Sequence, residues 1–101
     1  MLQCYRIIMS REAAEDLAGI HDWIAKDSER NASAMVERLL AEIQALQEFP
    51  HRYAVTITKK KLAWELRTMP VPPYRVLYWI EEEHQAVRVL AVQHGRRDSW
   101  A

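Results

Sequence analysis

The chain has 101 residues, half of them hydrophobic, with two glycines, one cysteine and no net charge at neutral pH. That length holds one domain with a single compact core and leaves no linker, repeat or biased stretch. A neutral chain does not hold nucleic acid by charge alone, no apolar run approaches membrane-spanning length, and a lone cysteine excludes an internal disulfide.

Met1–Met9 is too short for a signal peptide and carries Arg6, so a single domain over 1–101 in a reducing cytoplasm is expected. The neutral total conceals an asymmetry. Residues 1–50 hold five Lys or Arg against nine Asp or Glu, and residues 51–101 hold nine against five. Either the second half builds a cationic face, or acidic helices lie beside basic strands.

In chain order, Gln3–Ile8 reads as a short strand with Cys4 as a small buried hydrophobe. Ser10 is a good N-cap, with Glu12, Glu15 and Asp16 near the positive end of the helix that follows. Ala13, Leu17, Ile20 and Ile24 share one face of that helix. Asp27 or Ser28 caps a second helix, whose stripe is Met35, Leu39, Ile43 and Leu46, thickened by Val36 and Leu40. Phe49-Pro50 closes it. Trp64–Met69, Tyr74–Ile80 and Val87–Val92 are runs of strand length and composition. Met69–Pro73 separates the first two, since its prolines do not suit a central strand. Glu81–Gln85 turns the chain into the third. Both alternating faces of Tyr74–Ile80 are largely apolar, as in a strand covered on two sides. The expected fold is α+β in the order β-α-α-β-β-β, a helical hairpin packed on one face of a small, mainly antiparallel sheet. Such a hairpin leaves an apolar groove that a partner peptide can fill.

The residues with chemistry to offer gather in the second half. Val89–Val92 delivers His94, Gly95, Arg96 and Arg97, with Trp100 close behind. A terminal segment needs no paired arginines for packing, and Gly95 permits a turn that aims them. His94 is either a general base or a satisfied strand-end residue. Arg75 either points from the sheet toward a ligand or pairs with Glu65 on the neighbouring strand, and Arg67 leaves the same two readings. Trp100 is a lid on the core or an interface anchor. Lys59–Lys61 reads as a solvated loop and Glu81–Glu83 as turn solubilisation. His21, His51, His84 and His94 lack metal-ligand spacing, and no phosphate-loop, dinucleotide or nucleophile-elbow motif occurs, so neither metal nor cofactor is expected.

Element order and particular residues together resemble the ParE/RelE superfamily of toxins from bacterial type II toxin–antitoxin modules. The matching stretches are S-x-x-A-x-x-D-L-x-x-I-x-x-W-I at 10–24, L-x-x-F-P at 46–50, E-L-R at 65–67, Y-R-V-L-Y at 74–78 and V-L-x-V-x-H-G-R-R at 89–97. The resemblance covers nearly the whole chain. It implies a small DNA-binding antitoxin with a disordered segment that wraps the toxin, and homo-oligomers through that complex. RelE-like members cut messenger RNA on the ribosome, whereas ParE-like members poison DNA gyrase.

RNA cleavage needs a base, cations on the phosphate and an acid for the leaving oxygen. By resemblance Arg75 and Arg97 occupy phosphate-contacting positions, with Arg67 and His94 as further members of a nuclease set. The two lysines of RelE-like enzymes are matched here by Ala63 and Glu65, and their tyrosine would fall past Ala101. The ParE-like branch is therefore favoured, with Arg67, Arg75, Arg96, Arg97 and Trp100 as the target-binding set. A ribosome-dependent endoribonuclease, or a decayed toxin that keeps only antitoxin binding, is the alternative. Replacing both Arg96 and Arg97 with Ala is expected to relieve growth arrest on expression. The same change should cost the fold within about 0.5 kcal/mol, as ordinary surface substitutions do. Loss of soluble protein in the double variant would make these arginines structural.

Overall fold

The computed structural model describes residues 4–59 and 64–95. Strand β1 (Arg6–Met9) leads into helices α1 (Arg11–Ala25) and α2 (Glu29–Gln44). Four strands follow: β2 (Val55–Lys59), β3 (Trp64–Val71), β4 (Tyr74–Glu81) and β5 (Ala86–His94). The sheet order is β1-β5-β4-β3-β2, with β1 parallel to β5 and every other pair antiparallel.

Both helix starts are set by the serines that the sequence marks. Ser10 Oγ accepts the Ala13 N–H at 2.9 Å, and Ser28 Oγ accepts the Asn31 N–H at 3.1 Å. Each thereby satisfies one of the donors that a helix start leaves without a partner. Ala13 and Leu17 of α1, with Leu39 and Ile43 of α2, join the core cluster with the sheet, and Ala32 of α2 is buried as well. Leu40 is exposed instead of thickening that stripe, because the sheet lies against only one side of α2. Past α2 a 3-10 turn at Ala45–Gln47 carries Leu46 into the core. Phe49 then takes a left-handed conformation, φ 55° and ψ 53°, before Pro50.

Three differences from the sequence expectation have physical causes. Val55–Lys59 forms an additional strand, pairing from Val55↔Arg67 to Lys59↔Trp64. Its V-T-I-T alternation is strand-like but short, as edge strands often are. Strand β3 continues through Pro70, which pairs with Arg75. Thr68 N–H still reaches Ala54 O, but β2 pairs no further along than Arg67, so the ring sits where no donor is required. Cys4 is exposed and precedes β1, so it is not the buried strand residue expected.

Strand β5 contains the decisive irregularity. Leu77 pairs with Ala91 and Tyr78 with Val89, so Leu90 is an extra residue, a β-bulge. The bulge resets the alternation, and Val87, Val89 and Val92 all join the helix-side core with Tyr74, Val76 and Tyr78 of β4. On the opposite face Leu66, Leu77 and Ala91 are also buried.

Beyond Met9, β1 no longer covers β5, and the first turns of α1 take over. Ser10 N–H donates to Val89 O and Ser10 Oγ to Leu90 O, both at 2.9 Å, and Asp16 Oδ2 accepts the Val92 N–H at 2.9 Å. The other side of the core is closed by Tyr78, whose hydroxyl donates to Pro50 O at 2.6 Å. Burial, partly offset by the positive charge of Arg67, pushes the pKa of the Tyr78 hydroxyl up to about 12.

An unfolded tyrosine loses its proton near pH 10, so the native state holds the Tyr78 proton longer. The stability this supplies is complete below about pH 10 and is lost as pH rises through about 12. Urea midpoints measured across that alkaline range should fall, and Tyr78→Phe should flatten the fall while costing about 1 kcal/mol at neutral pH. An unchanged alkaline slope in the variant would refute this assignment.

Candidate functional site

The residues singled out in the sequence do not converge on one point. Arg96, Arg97 and Trp100 lie outside the described residues. Arg67 pairs with Tyr78 across β3 and β4 and shares its helix-side face. Its Nη1 donates to Tyr53 O at 2.6 Å and to His51 O at 3.2 Å. The guanidinium thus holds the Pro50–Arg52 turn against the sheet. Arg75 stands between Pro70 of β3 and Gln93 of β5, on the face away from the helices. Glu65 lies beyond Arg67 at the far end of β3, so the cross-strand pair with Arg75 is not formed.

His94 pairs with Tyr74 at the end of β5, and their rings meet edge to face at 5.6 Å. Because of the bulge, His94 falls on the helix side, opposite to Arg75. Gly95 N–H then donates to Pro73 O at 2.7 Å. A Cβ on Gly95 would lie 3.1 Å from that same oxygen, and its φ is not positive. Close approach to the Pro72–Pro73 turn, rather than left-handed freedom, is what favours glycine here.

A polar cluster forms that the sequence reading did not find. Glu82 accepts the Tyr5 hydroxyl at 3.1 Å and lies 2.6 Å from His51 Nε2, while the Tyr5 and His51 rings meet edge to face at 6.0 Å. Burial first, then the bond to Glu82 and its charge, raises the Tyr5 hydroxyl above its ordinary value. Glu81 is engaged too, accepting Arg88 Nε at 2.7 Å and contacting His84. Chiefly through the Arg88 hydrogen bond its carboxyl is held below the usual range. The glutamate run is therefore more than a solubilising turn. The partners of Glu82 lie on distant segments, and no local pattern announces them, whereas those of Glu81 lie within seven residues. Beside it a pocket of about 240 Å3 is lined by His51, Glu65, Arg67, Ile80 and Glu82. Among the described residues no group of His, Cys, Asp and Glu is placed to hold a metal ion.

The larger concavity, about 670 Å3, runs between α1 and the ends of β4 and β5. Helix α1 supplies Glu15, Asp16, Gly19, Ile20 and Trp23. The strands supply Tyr74, Val92 and His94. This is the groove expected beside the hairpin, with one acidic wall. Among the described residues no helix is long and apolar enough to cross a membrane.

A helical hairpin on one face of a five-stranded mixed sheet is the architecture of the toxins in known toxin–antitoxin complexes. The chromosomal ParDE system of P. aeruginosa contains a chain that superposes with a TM-score of 0.70, at 16% identity, over 91% of this chain and 97% of that one. A chain of the RelBE2 toxin–antitoxin complex from Mycobacterium tuberculosis gives 0.61 at 26% identity, over 93% and 94% of the two chains. The RelE–RelB complex of Pyrococcus horikoshii gives 0.64 at 15% identity, over 93% and 98%. No curated protein sequence matches the chain. The family model for the ParE toxin of the type II toxin–antitoxin system parDE matches residues 7–99. The chain belongs to that toxin family.

Arg67 provides a direct test of structural against target-binding use. Arg67→Met removes the donor from two backbone carbonyls and should lower urea stability by about 1–2 kcal/mol. An arginine serving only a target would leave the midpoint unmoved and abolish growth arrest alone.

Proposed function

We propose that this chain is a ParE-like toxin that inhibits DNA gyrase in the cytoplasm and is neutralised by a cognate antitoxin. The observation that carries the choice of target is the charge around Arg67. Phosphoryl chemistry on RNA needs free cations converging on the scissile phosphate. Here Glu65 stands where RelE-like enzymes carry a lysine, and it lines the same pocket as Glu82. Arg67, the arginine of that pocket, is directed at the carbonyls of His51 and Tyr53. Arg75 faces away on the other side of the sheet. Two carboxylates and a tethered guanidinium repel a phosphate more readily than they clamp one.

The partner follows from likeness to toxins whose structures are complexes with antitoxins. A small DNA-binding antitoxin whose disordered segment folds onto the toxin fits a domain with a long open groove. Nanomolar or tighter binding, on the order of 12 kcal/mol, is expected of such a pair, and homo-oligomers would form through that complex. An endoribonuclease using Arg75 and Arg97 is the second reading, favoured by the 26% identity to the RelBE2 chain.

Purified toxin should convert supercoiled plasmid to linear DNA in the presence of gyrase and ATP, and should leave ribosome-bound messenger RNA intact by primer extension. Codon-specific cuts in the message, with no gyrase-dependent cleavage, would replace this function with the nuclease one.

A further inference from the structure

The turn after α2 carries a bulky residue in a conformation that suits neither its side chain nor its neighbour. Phe49 lies at φ 55° and ψ 53°, a left-handed region that large side chains seldom enter, and it precedes a proline, where extended backbone is the norm. Packing does not explain this, since 63% of the residue is exposed. Pro50 beside it is fully buried, so the chain seats the proline and turns the ring outward. The conformation is held from several sides. Tyr78 donates to Pro50 O at 2.6 Å, and Arg67 donates to the carbonyls of His51 and Tyr53. Arg52 donates to Ala45 O through Nη2 at 3.1 Å and to Phe49 O through its backbone N–H at 3.2 Å. Residues in sparsely populated backbone regions persist only where their surroundings over-determine them, and they gather at ligand clamps and binding sites.

We infer that Phe49 is a preorganised anchor for the toxin's protein target, a phenyl knob that enters an apolar pocket on the surface of gyrase. The identity of the target rests on the function proposed above; the projecting, firmly held ring does not. A knob needs a pocket that is already formed, which a folded target offers and a disordered antitoxin segment does not. The turn also lies away from the groove suited to such a segment. That groove takes Tyr74 at the start of β4, whereas the turn is fastened to Tyr78 and, through His51, to Glu82 just past the strand's end. Nucleic acid is disfavoured as the occupant. Glu48 flanks the ring, and Arg52 is engaged with Ala45 O and lies 5.4 Å from the Tyr53 ring centroid.

The test uses the full chain with gyrase, ATP and supercoiled plasmid, and reads the toxin concentration that gives half-maximal linear DNA. Phe49→Asn accepts left-handed backbone readily and removes the ring. It should raise that concentration about thirtyfold, the loss of one interface anchor. Its urea midpoint should hold or rise, because the strain is relieved. Phe49→Tyr keeps an aromatic ring and should cleave near the wild-type level. A residue needed for packing gives the opposite pattern, so a lowered midpoint for Phe49→Asn overturns the proposal. Affinity of Phe49→Asn for a co-purified antitoxin should be unchanged; a weakened complex makes the antitoxin the occupant and overturns it too. So does a wild-type dimer in sedimentation that Phe49→Asn dissolves, which makes a second copy the occupant. Equal cleavage by wild type and Phe49→Asn sinks the anchor and leaves gyrase as the target. No gyrase-dependent cleavage by the wild-type chain overturns the gyrase function itself, and this proposal with it.

Discussion

The backbone of β5 is the constraint on which the rest of the molecule depends. A strand inside a sheet must satisfy both edges, and an unpaired buried amide or carbonyl costs about 1–3 kcal/mol. Strand β4 serves one edge along the whole of β5. The other edge is served in relay, by β1 as far as Val89, by Ser10 at the Leu90 carbonyl and by Asp16 at the Val92 amide. Ser10 consequently does two things at once, capping α1 and taking the carbonyl of the bulge residue. The helix can start nowhere else, and its first turns are pinned to the sheet.

That pinning shapes the surface. The bulge at Leu90 turns Val92 and His94 to the helix side, so the end of β5 faces α1 and not the opposite face. Past Asp16 the groove opens between Gly19–Trp23 and Val92–His94. The same residue that satisfies β5 thus stands at the head of the groove and lends it negative charge.

The basic half of the chain is less available for binding than its charge suggests. Arg67 holds the Pro50–Arg52 turn, Arg52 donates to Ala45 O at 3.1 Å, and Arg88 is paired with Glu81. Each cation is engaged by a segment of the fold itself. Tyr78 and the Tyr5–His51–Glu82 cluster fasten the corner where the chain crosses from α2 to β2. Polar groups concentrated here replace the backbone pairing that an irregular connection cannot supply.

Periodicity and caps are local properties, and they were sufficient for the two helices, four of the five strands and the family. Ser10, Ser28 and the Ala13–Leu17 and Leu39–Ile43 faces could be placed because each depends only on neighbours within a turn or two. Strand β2 escaped because a short edge strand carries little pattern, and Pro70 argued against a strand whose open side only the sheet register reveals. The functional residues divide in the same way. His94 and Arg75 could be located on their strands from sequence, but whether His94 shares the face of Arg75 depended on one extra residue at Leu90, and a bulge has no sequence signature of its own. Arg67 could be read as structural or target-directed until its two carbonyl acceptors were seen. Glu82 and Asp16 acquire their roles from partners 77 and 76 residues away in the chain. The sequence alone determined both helices, four of the five strands and the family they compose; the pairing of distant segments decided where each charge points, because a hydrogen bond between remote residues leaves no periodic trace in the chain.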